Sequence, residues 1–536
     1  MNSNYKIISL ICISLILITV FFLFHTYTLF PFTDDDAFIT YRYARNFVNG
    51  YGLVYNRGEK VEGYTNFTWT ILISAIIKIG LDPVIPSKLI GIIFSIGIMF
   101  MTYLFSQLIS GDRKALHIIA PMLLASSSSF AAWAGWGLET AAYSFFVVLA
   151  FYLFTREFIL DKKTYHLSGI IFFLASITRP EGAIMFGLAF FYIFISDFSR
   201  FKKIENISKK LIFLGSFIIP FLIYFIWRWN YYGYPLPNTY YVRMGMTLPT
   251  LIPQFKRGIF YFSDFILKYG GWCMIFSLIL FKRKQKKVIY LLSYITLMSI
   301  LYIVYVGGDS KQFFRLLVPF MPFYYLLAQE GLIEFKSKIR LSKNALKSLT
   351  PYIVYTIVTL FFMCNYLPTL WFFGLPLYKD LPLSRIILGK TPNFEGILWD
   401  RENQKRIGLY FKDHLPSNSS VAVITAGTVP YYSELKTIDM LGVNEPYIAH
   451  QEVVTNKELN QQLGNVLPEE DEMDIKLKLI LIAAHQKIDL EYVLSKNPTI
   501  LFHGDPVLLK KHGYIKFDLV TDNFSISYWA KENPFI

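Results

Sequence analysis

The residues Thr33-Asp34-Asp35-Asp36-Ala37-Phe38-Ile39-Thr40-Tyr41-Arg42-Tyr43-Ala44-Arg45 follow almost directly on an apolar run from Ile7 to Phe30. A membrane span needs about 20 apolar residues, so the run is long enough to cross a bilayer, and the three carboxylates mark where the chain leaves the hydrocarbon. The flank Phe22, Leu23, Phe24, Tyr27, Phe30, Pro31 offers no small-residue cleavage site, so the run reads as an uncleaved first span rather than a signal peptide. Carboxylates at a helix start stabilise its dipole, which accounts for one aspartate. Three in a row repel one another, and that repulsion raises one pKa and suits a general base or a cation site. Arg42 and Arg45, at i and i+3, share a helix face. They either pair with the acids or receive a phosphate.

The rest of the chain fits a membrane setting. Of 536 residues, 54% are hydrophobic, 18% aromatic and only 17% charged, against about 25% charged in soluble domains. This excludes a disordered chain, a secreted disulfide scaffold and a cytosolic enzyme. The three cysteines, Cys12, Cys273 and Cys364, stand far apart in apolar runs, which offers neither a disulfide framework nor a thiolate metal site. Residues 1–373 carry 35 Lys/Arg against 17 Asp/Glu, and residues 374–536 carry 17 against 21. The positive excess sits in short loops: Arg113-Lys114, Arg156 with Lys162-Lys163, Arg200 to Lys210, Lys282 to Lys287, and Lys336 to Lys347. That is the positive-inside pattern of a membrane protein rather than a nucleic-acid patch.

Alternation of these loops with segments 32–66, 135–140, 230–266 and 307–313 places the N-terminus in the cytoplasm and the latter loops outside. Parity then requires Phe67–Leu81, about 15 apolar residues and short of a span, to be interfacial or re-entrant. Thr178-Arg179-Pro180-Glu181-Gly182 reads as an external turn between two short spans. The expectation is a helical polytopic protein of about eleven spans. Its membrane domain covers 1–373, with a first external loop at 32–86, and an extracytoplasmic α/β domain covers 374–536. In that domain the short apolar runs Val421–Thr425, Leu477–Ala484 and Thr499–Phe502 read as strands and Asn403–Leu415 as a helix.

The first loop continues with Gly50-Tyr51-Gly52-Leu53-Val54-Tyr55-Asn56 and Val61-Glu62-Gly63-Tyr64-Thr65. Tyrosine faces stack on sugar C–H surfaces while carboxylates such as Glu62 take hydroxyls; alternatively Tyr51 and Tyr55 belong to an interfacial aromatic belt. Other turns expected outside carry Glu139, Arg179 with Glu181, Pro235-Leu236-Pro237-Asn238-Thr239, and Asp309 followed by Arg315. None is specific alone; their expected convergence on one membrane face is the signal. No GxxxxGK[ST], GxGxxG or HExxH pattern occurs, and the eight histidines are scattered, which removes support for ATP-driven transport and zinc chemistry. A glycosyl transfer outside the membrane needs a donor delivered through the bilayer, meaning a polyprenyl-phosphate sugar.

In order and content these segments resemble the GT-C superfamily of membrane glycosyltransferases. The strings closest to its terminal β-(1→2) arabinofuranosyltransferase and LphB-like branch are Asp35-Asp36-Ala37-Phe38-Ile39, Tyr41-Arg42-Tyr43-Ala44-Arg45, Val61 to Thr65 and Gly137-Leu138-Glu139-Thr140. Thr178 to Gly182, Pro235 to Thr239, Gly307-Gly308-Asp309 and Asp439-Met440-Leu441-Gly442 continue the likeness over most of the chain. The extra acid Asp34 and the stretch Ser310 to Gln312 depart from it.

The resemblance implies an inverting transfer of a sugar from a polyprenyl-phosphate donor to an envelope glycan or lipid acceptor, with Asp35 or Asp36 as general base. Asp35 heads the matching motif and is the first choice. Arg179 and Arg315 would neutralise the departing phosphate unless they pair with Glu181 and Asp309. Arg42, Arg45, Glu62, Tyr64, Glu139, Glu181, Asn238 and Asp309 are the remaining donor- or acceptor-binding candidates. No metal is demanded, although Asp35, Asp36 and Glu139 form a candidate set for a divalent cation. The expected setting is a bacterial cytoplasmic membrane, among its lipids, with no nucleic-acid partner. The competing reading is a transporter or flippase for a lipid-linked or anionic solute; clustered acids at one face and the absence of repeated halves weigh against it.

Overall fold

The computed structural model describes residues 3–110, 116–161, 167–196, 204–243, 248–282 except 270, 287–338 except 310, and scattered positions between 356 and 369. It also describes 394–464 except 455, and 487–535 except 523. Most of the basic loops, the run Leu477–Ala484 and the acidic stretch Glu469 to Glu472 lie outside the described residues.

The first half runs through helices α1 (Ser3–Leu29), α2 (Asp35–Val48), α3 (Phe67–Lys78), α4 (Val84–Ser110), α5 (Ile119–Ser126), α6 (Ser128–Gly135) and α7 (Thr140–Phe154). It continues with α8 (Ser168–Thr178), α9 (Glu181–Ser196), α10 (Ile204–Tyr232), α11 (Asn238–Arg243), α12 (Leu248–Lys268), a 3₁₀ helix Gly271–Lys282, α13 (Lys287–Val306) and α14 (Met321–Lys338). Among the described residues five helical stretches are long and apolar enough to cross a membrane: Ser9–Leu29, Val84–Ile109, Thr140–Ile159, Ile207–Tyr232 and Lys287–Val306. A helix satisfies its own backbone hydrogen bonds, as hydrocarbon requires. The apolar window of Ile207–Tyr232 is only 11% buried within the protein, and in water so much exposed Ile and Leu would be untenable. The protein is a multi-pass membrane protein. Helix α3, at 12 residues, is about 18 Å long and too short to span. The break at Arg179-Pro180 is present, with α8 ending at Thr178 and α9 starting at Glu181.

The second half is α/β. Helix α15 (Phe394–His414) leads to β1 (Ser420–Val423), α16 (Thr428–Ser433), β2 (Lys436–Asp439), α17 (Pro446–Ala449) and α18 (Asn456–Gln462). Then come α19 (Leu490–Ser495), β3 (Ile500–Leu501), α20 (Pro506–Lys511), β4 (Ile515–Val520) and β5 (Ser525–Ala530). The sheet order is β2-β1-β3-β5-β4; β1 pairs parallel with β2 and β3, while β5 pairs antiparallel with β3 and β4. The strands expected at 421–425 and 499–502 are β1 and β3.

Two compact units emerge, and they do not divide at 373/374. One comprises Met1–Phe32, Ser87–Phe221 and Gln254–Phe394; the other comprises Thr33–Pro86, Leu222–Pro253 and Glu395–Ile536. In the first, α14 packs along the 3₁₀ helix and α5, α1 against α5 and α6, and α8 between α7 and α9. In the second, successive β1 residues face opposite sides, so Val421 and Val423 enter one apolar cluster and Ala422 another. The cluster around Val421 also holds Tyr43, Tyr55 and Tyr64 from the first loop and Tyr232 from the end of α10. Burial of these rings makes the loop and the sheet a single core.

Candidate active site

The three consecutive aspartates have three different environments. Asp34 is the N-cap of α2, with extended backbone, and its side chain accepts the Asp36 N–H at 3.0 Å, the arrangement that satisfies an orphan amide at a helix start. Asp35 is buried. It accepts from Arg401 Nη1 at 2.9 Å, Gly427 N–H at 3.1 Å, and Thr428 N–H and Oγ1 at 2.9 and 2.7 Å. A carboxylate has about four acceptor positions; three of these donors fall on Oδ1 and one on Oδ2, so Asp35 is held in place by its own protein with Oδ2 the less engaged oxygen. Gly427 is required here, since a Cβ at that position would lie 2.0 Å from the Asp35 carbonyl oxygen. Asp36, in the first turn of α2, is half-buried.

Arg42 and Arg45 turn out to be ties rather than phosphate ligands. Buried Arg42 donates through Nε to the Tyr55 carbonyl, through Nη1 to the Pro430 carbonyl, and through Nη2 to Asn56 and the Leu435 carbonyl. Desolvation lowers its pKa. Arg45 pairs with Glu434 at 3.3 Å, lies over the Tyr431 ring and donates to the Tyr431 carbonyl. With their donors so engaged, neither presents a fork to an oxyanion.

Glu62, Tyr64 and Asn238 are likewise structural. Glu62 forms a buried ion pair with Arg228 at 2.6 Å, and burial pushes its carboxyl up to about 7 against the pull of that guanidinium. Tyr64 sits inside the core, bonded to Tyr232, which rules it out as a sugar platform; Tyr55 is buried there too. Asn238 is tied to the backbone: its amide donates to the Gly442 and Val443 carbonyls, and its N–H donates to the Glu62 carbonyl. Asn444 accepts from the Tyr43 hydroxyl at 3.1 Å, and a Cβ on Gly63 would lie 2.0 Å from its Oδ1. The three motifs at 61–65, 235–239 and 439–442 therefore meet as a junction.

The other expected residues gather in the first unit. Arg179 is bracketed by Glu139 at 2.6 Å and Glu181 at 2.7 Å, its Nε also reaching Glu181 at 3.2 Å. Arg315 pairs with Asp309 at 3.3 Å, and the Tyr261 hydroxyl donates to the same carboxylate at 3.1 Å. Arg179, Glu181 and Arg315, remote in sequence, line one cleft with Thr140, Tyr143 and Phe320.

Sequence reasoning missed Arg401, Thr428 and Lys88. Buried Lys88 donates to the Phe30 and Phe32 carbonyls at 2.7 and 2.9 Å, and no carboxylate pairs with it among the described residues. The signal was available, because Lys88 is the lone charge in the apolar sequence of α4. Among the described residues no three His, Cys, Asp or Glu side chains gather as a metal-holding group, so Asp35, Asp36 and Glu139 do not form the candidate cation set.

Residues 395–521 match a family model described as Domain of unknown function (DUF8728). No curated protein matches the chain. Two solved structures align over nearly its whole length. ArnT from Cupriavidus metallidurans bound to undecaprenyl phosphate is 10% identical, with TM-score 0.53 and 98% of each chain covered. The archaeal oligosaccharyltransferase AglB from Archaeoglobus fulgidus, in complex with an inhibitory peptide and a dolichol-phosphate, is 13% identical, with TM-score 0.51 and coverage of 99% of this chain and 74% of that one. At such identities the likeness is one of architecture, and what it establishes is that this chain has the GT-C fold.

Proposed function

We propose that the protein is an inverting glycosyltransferase that moves a sugar from a polyprenyl-phosphate donor to an envelope glycan or lipid acceptor on the outer face of the membrane. Two structures of the same fold carry undecaprenyl phosphate and a dolichol-phosphate, which supports a lipid phosphate as leaving group here. The observation that carries the reading is the division of roles among the three acids on this fold. With Asp34 capping α2 and Asp35 held by Arg401, Gly427 and Thr428, we assign the base role to Asp36, half-buried in the first turn of α2. It removes the acceptor hydroxyl proton as that oxygen attacks the anomeric carbon. The bond from that carbon to the phosphate oxygen breaks, and its electron pair leaves with the phosphate. In the other compact unit, the Lys88 ammonium, held by two carbonyls and without a paired carboxylate among the described residues, is our candidate for a counter-charge to a lipid phosphate.

The test is transfer by membranes or purified full-length chain supplied with lipid-linked sugars. Asp36→Asn is expected to fold and to lose at least 100-fold in rate, in line with removal of a general base, which contributes roughly 10²–10⁴-fold. Lys88→Met should lose rate and Lys88→Arg recover part of it. Full transfer by Asp36→Asn would remove the base assignment, and full transfer by Lys88→Met the phosphate assignment.

A further inference from the structure

The loop after α2 closes around one end of the span Ile207–Tyr232. The Tyr231 hydroxyl accepts the Leu53 N–H at 3.1 Å and the Tyr232 hydroxyl donates to the Leu53 carbonyl at 2.9 Å, while a Cβ on Gly52 would collide with the Tyr231 hydroxyl. All these residues belong to the second compact unit. What the loop carries beside Tyr231 therefore stands at the level where an apolar helix reaches the bilayer surface.

It carries two cations. The Lys60 ammonium lies 4.9 Å from the centre of the Tyr231 ring, and the Arg57 guanidinium 4.3 Å from that of Tyr51. Both residues are exposed, and among the described residues neither pairs with a carboxylate or donates a hydrogen bond to the protein. The acid between them is engaged elsewhere: Glu59 pairs with Lys436 at 2.7 Å and accepts from the Asn56 amide at 2.9 Å. The neighbouring rings are open as well. Trp227 stacks on Tyr231 at 5.7 Å and is 38% exposed, with Tyr51 at 46% and Trp229 at 47%. Indole and phenol rings collect at the headgroup level of a membrane, and basic side chains there attract anionic lipid. A ring face holds a cation without using its N–H groups, so both cations keep their hydrogens for phosphate oxygens. The patch continues the side of α10 that meets lipid, since the apolar window of that helix is only 11% buried in the protein.

We propose that Arg57 and Lys60 bind the phosphate headgroup of an anionic glycerophospholipid of the surrounding bilayer, with the Trp227 and Trp229 rings packing on its glycerol and first methylenes. The bound lipid fastens the loop after α2 to the membrane surface. It is a constituent of the bilayer and not a transfer substrate, so the proposal stands apart from the glycosyl-transfer reading.

The test uses the full-length chain in dodecyl maltoside, titrated in turn with dioleoyl phosphatidylglycerol, dioleoyl phosphatidylcholine and inorganic phosphate. It reads the melting temperature and the lipids retained in native mass spectrometry. Phosphatidylglycerol should be retained and should raise the melting temperature more than phosphatidylcholine does, and inorganic phosphate should leave it unchanged. The double variant Arg57→Gln with Lys60→Gln should melt like the parent without lipid. Its affinity for phosphatidylglycerol should fall roughly 10-fold or more, two basic residues having been lost, while phosphatidylcholine binds as before. Arg57→Lys with Lys60→Arg keeps both charges and should keep most of the affinity. If the double variant melts lower without lipid, the single variants Arg57→Gln and Lys60→Gln decide, each expected to lose part of the affinity. Equal gains from the two lipids in the parent, or phosphatidylglycerol bound as tightly by the neutralised variants, overturn the proposal. A rise with inorganic phosphate that the double variant loses also overturns it, making the two cations a site for a free anion.

Discussion

Asp439 ends β2 with its carboxylate fully enclosed, accepting N–H groups from Leu441 at 3.1 Å and Asn444 at 2.8 Å and the Asn444 amide at 3.0 Å. Burial pushes its carboxyl up to about 6, outweighing those donors, which hold it down. An unfolded aspartate releases its proton near 3.9. Between about pH 4 and pH 6 the native chain therefore binds a proton that the unfolded chain has lost, and stability falls as pH rises through that window. The melting temperature of the full-length chain should decline from pH 4 to pH 6.5, and Asp439→Asn should flatten part of that slope while lowering the whole curve. Identical slopes in the two proteins would show that Asp439 titrates as an ordinary surface acid. The sequence showed that 439–442 was special but not why, since a carboxylate folded back on amides two and five residues ahead looks the same as a ligand-binding one until its neighbours are known. The partners of Asp35 were hidden for the same reason: its donors are Arg401, Gly427 and Thr428, more than 360 residues away.

The loop after α2 and the C-terminal end of α10 are joined by one buried pair, Glu62 and Arg228, whose side chains are 5% and 6% exposed; Arg228 also donates to the Pro235 carbonyl. Removing one partner from such a pair leaves an uncompensated buried charge, at a cost of about 3–5 kcal/mol. Glu62→Ala should lower the melting temperature sharply, whereas Glu62→Gln with Arg228→Met, apolar and neutral at similar volume, should come back close to the parent. A double variant no more stable than Glu62→Ala would mean that the pair does more than neutralise itself. Among the elements, the five helices long and apolar enough to cross, the short α3 and the break before Glu181 could be read from apolar run length and proline alone. The antiparallel pair β4 and β5 could not, because Lys516, Asp518 and Ser527 dilute the apolar signal where the strands are largely exposed. Tyr55 and Tyr64 were read as surface aromatics because only the sheet, far along the chain, supplies the core that covers them.

At the scale of the molecule, the chain enters its second compact unit three times, at Thr33–Pro86, Leu222–Pro253 and Glu395–Ile536. Composition along a linear sequence cannot register this interleaving, so a division into consecutive domains was the natural reading. Charge carries different information, which bears on orientation. The excess of 35 Lys/Arg over 17 Asp/Glu before residue 374 lies in short loops between apolar runs, whereas residues 374–536 are slightly acidic. The cost of moving basic loops across an energised membrane holds them in the cytoplasm, which would put Asp161, in the basic 156–163 loop, inside and the α/β segment outside. Both ends of that argument are open to chemistry, because Val507 is 78% exposed and the Asp161 side chain 69% exposed. In a chain whose three native cysteines are replaced by serine, Val507→Cys should react with a membrane-impermeant maleimide in intact cells, and Asp161→Cys only after the membrane is opened. Equal labelling of both in intact cells would undo the topology. The reverse pattern would place the α/β segment in the cytoplasm and, with it, Arg401 and Thr428 and the Asp35 carboxylate that they hold, on the side where soluble nucleotide sugars rather than lipid-linked ones are available as donors.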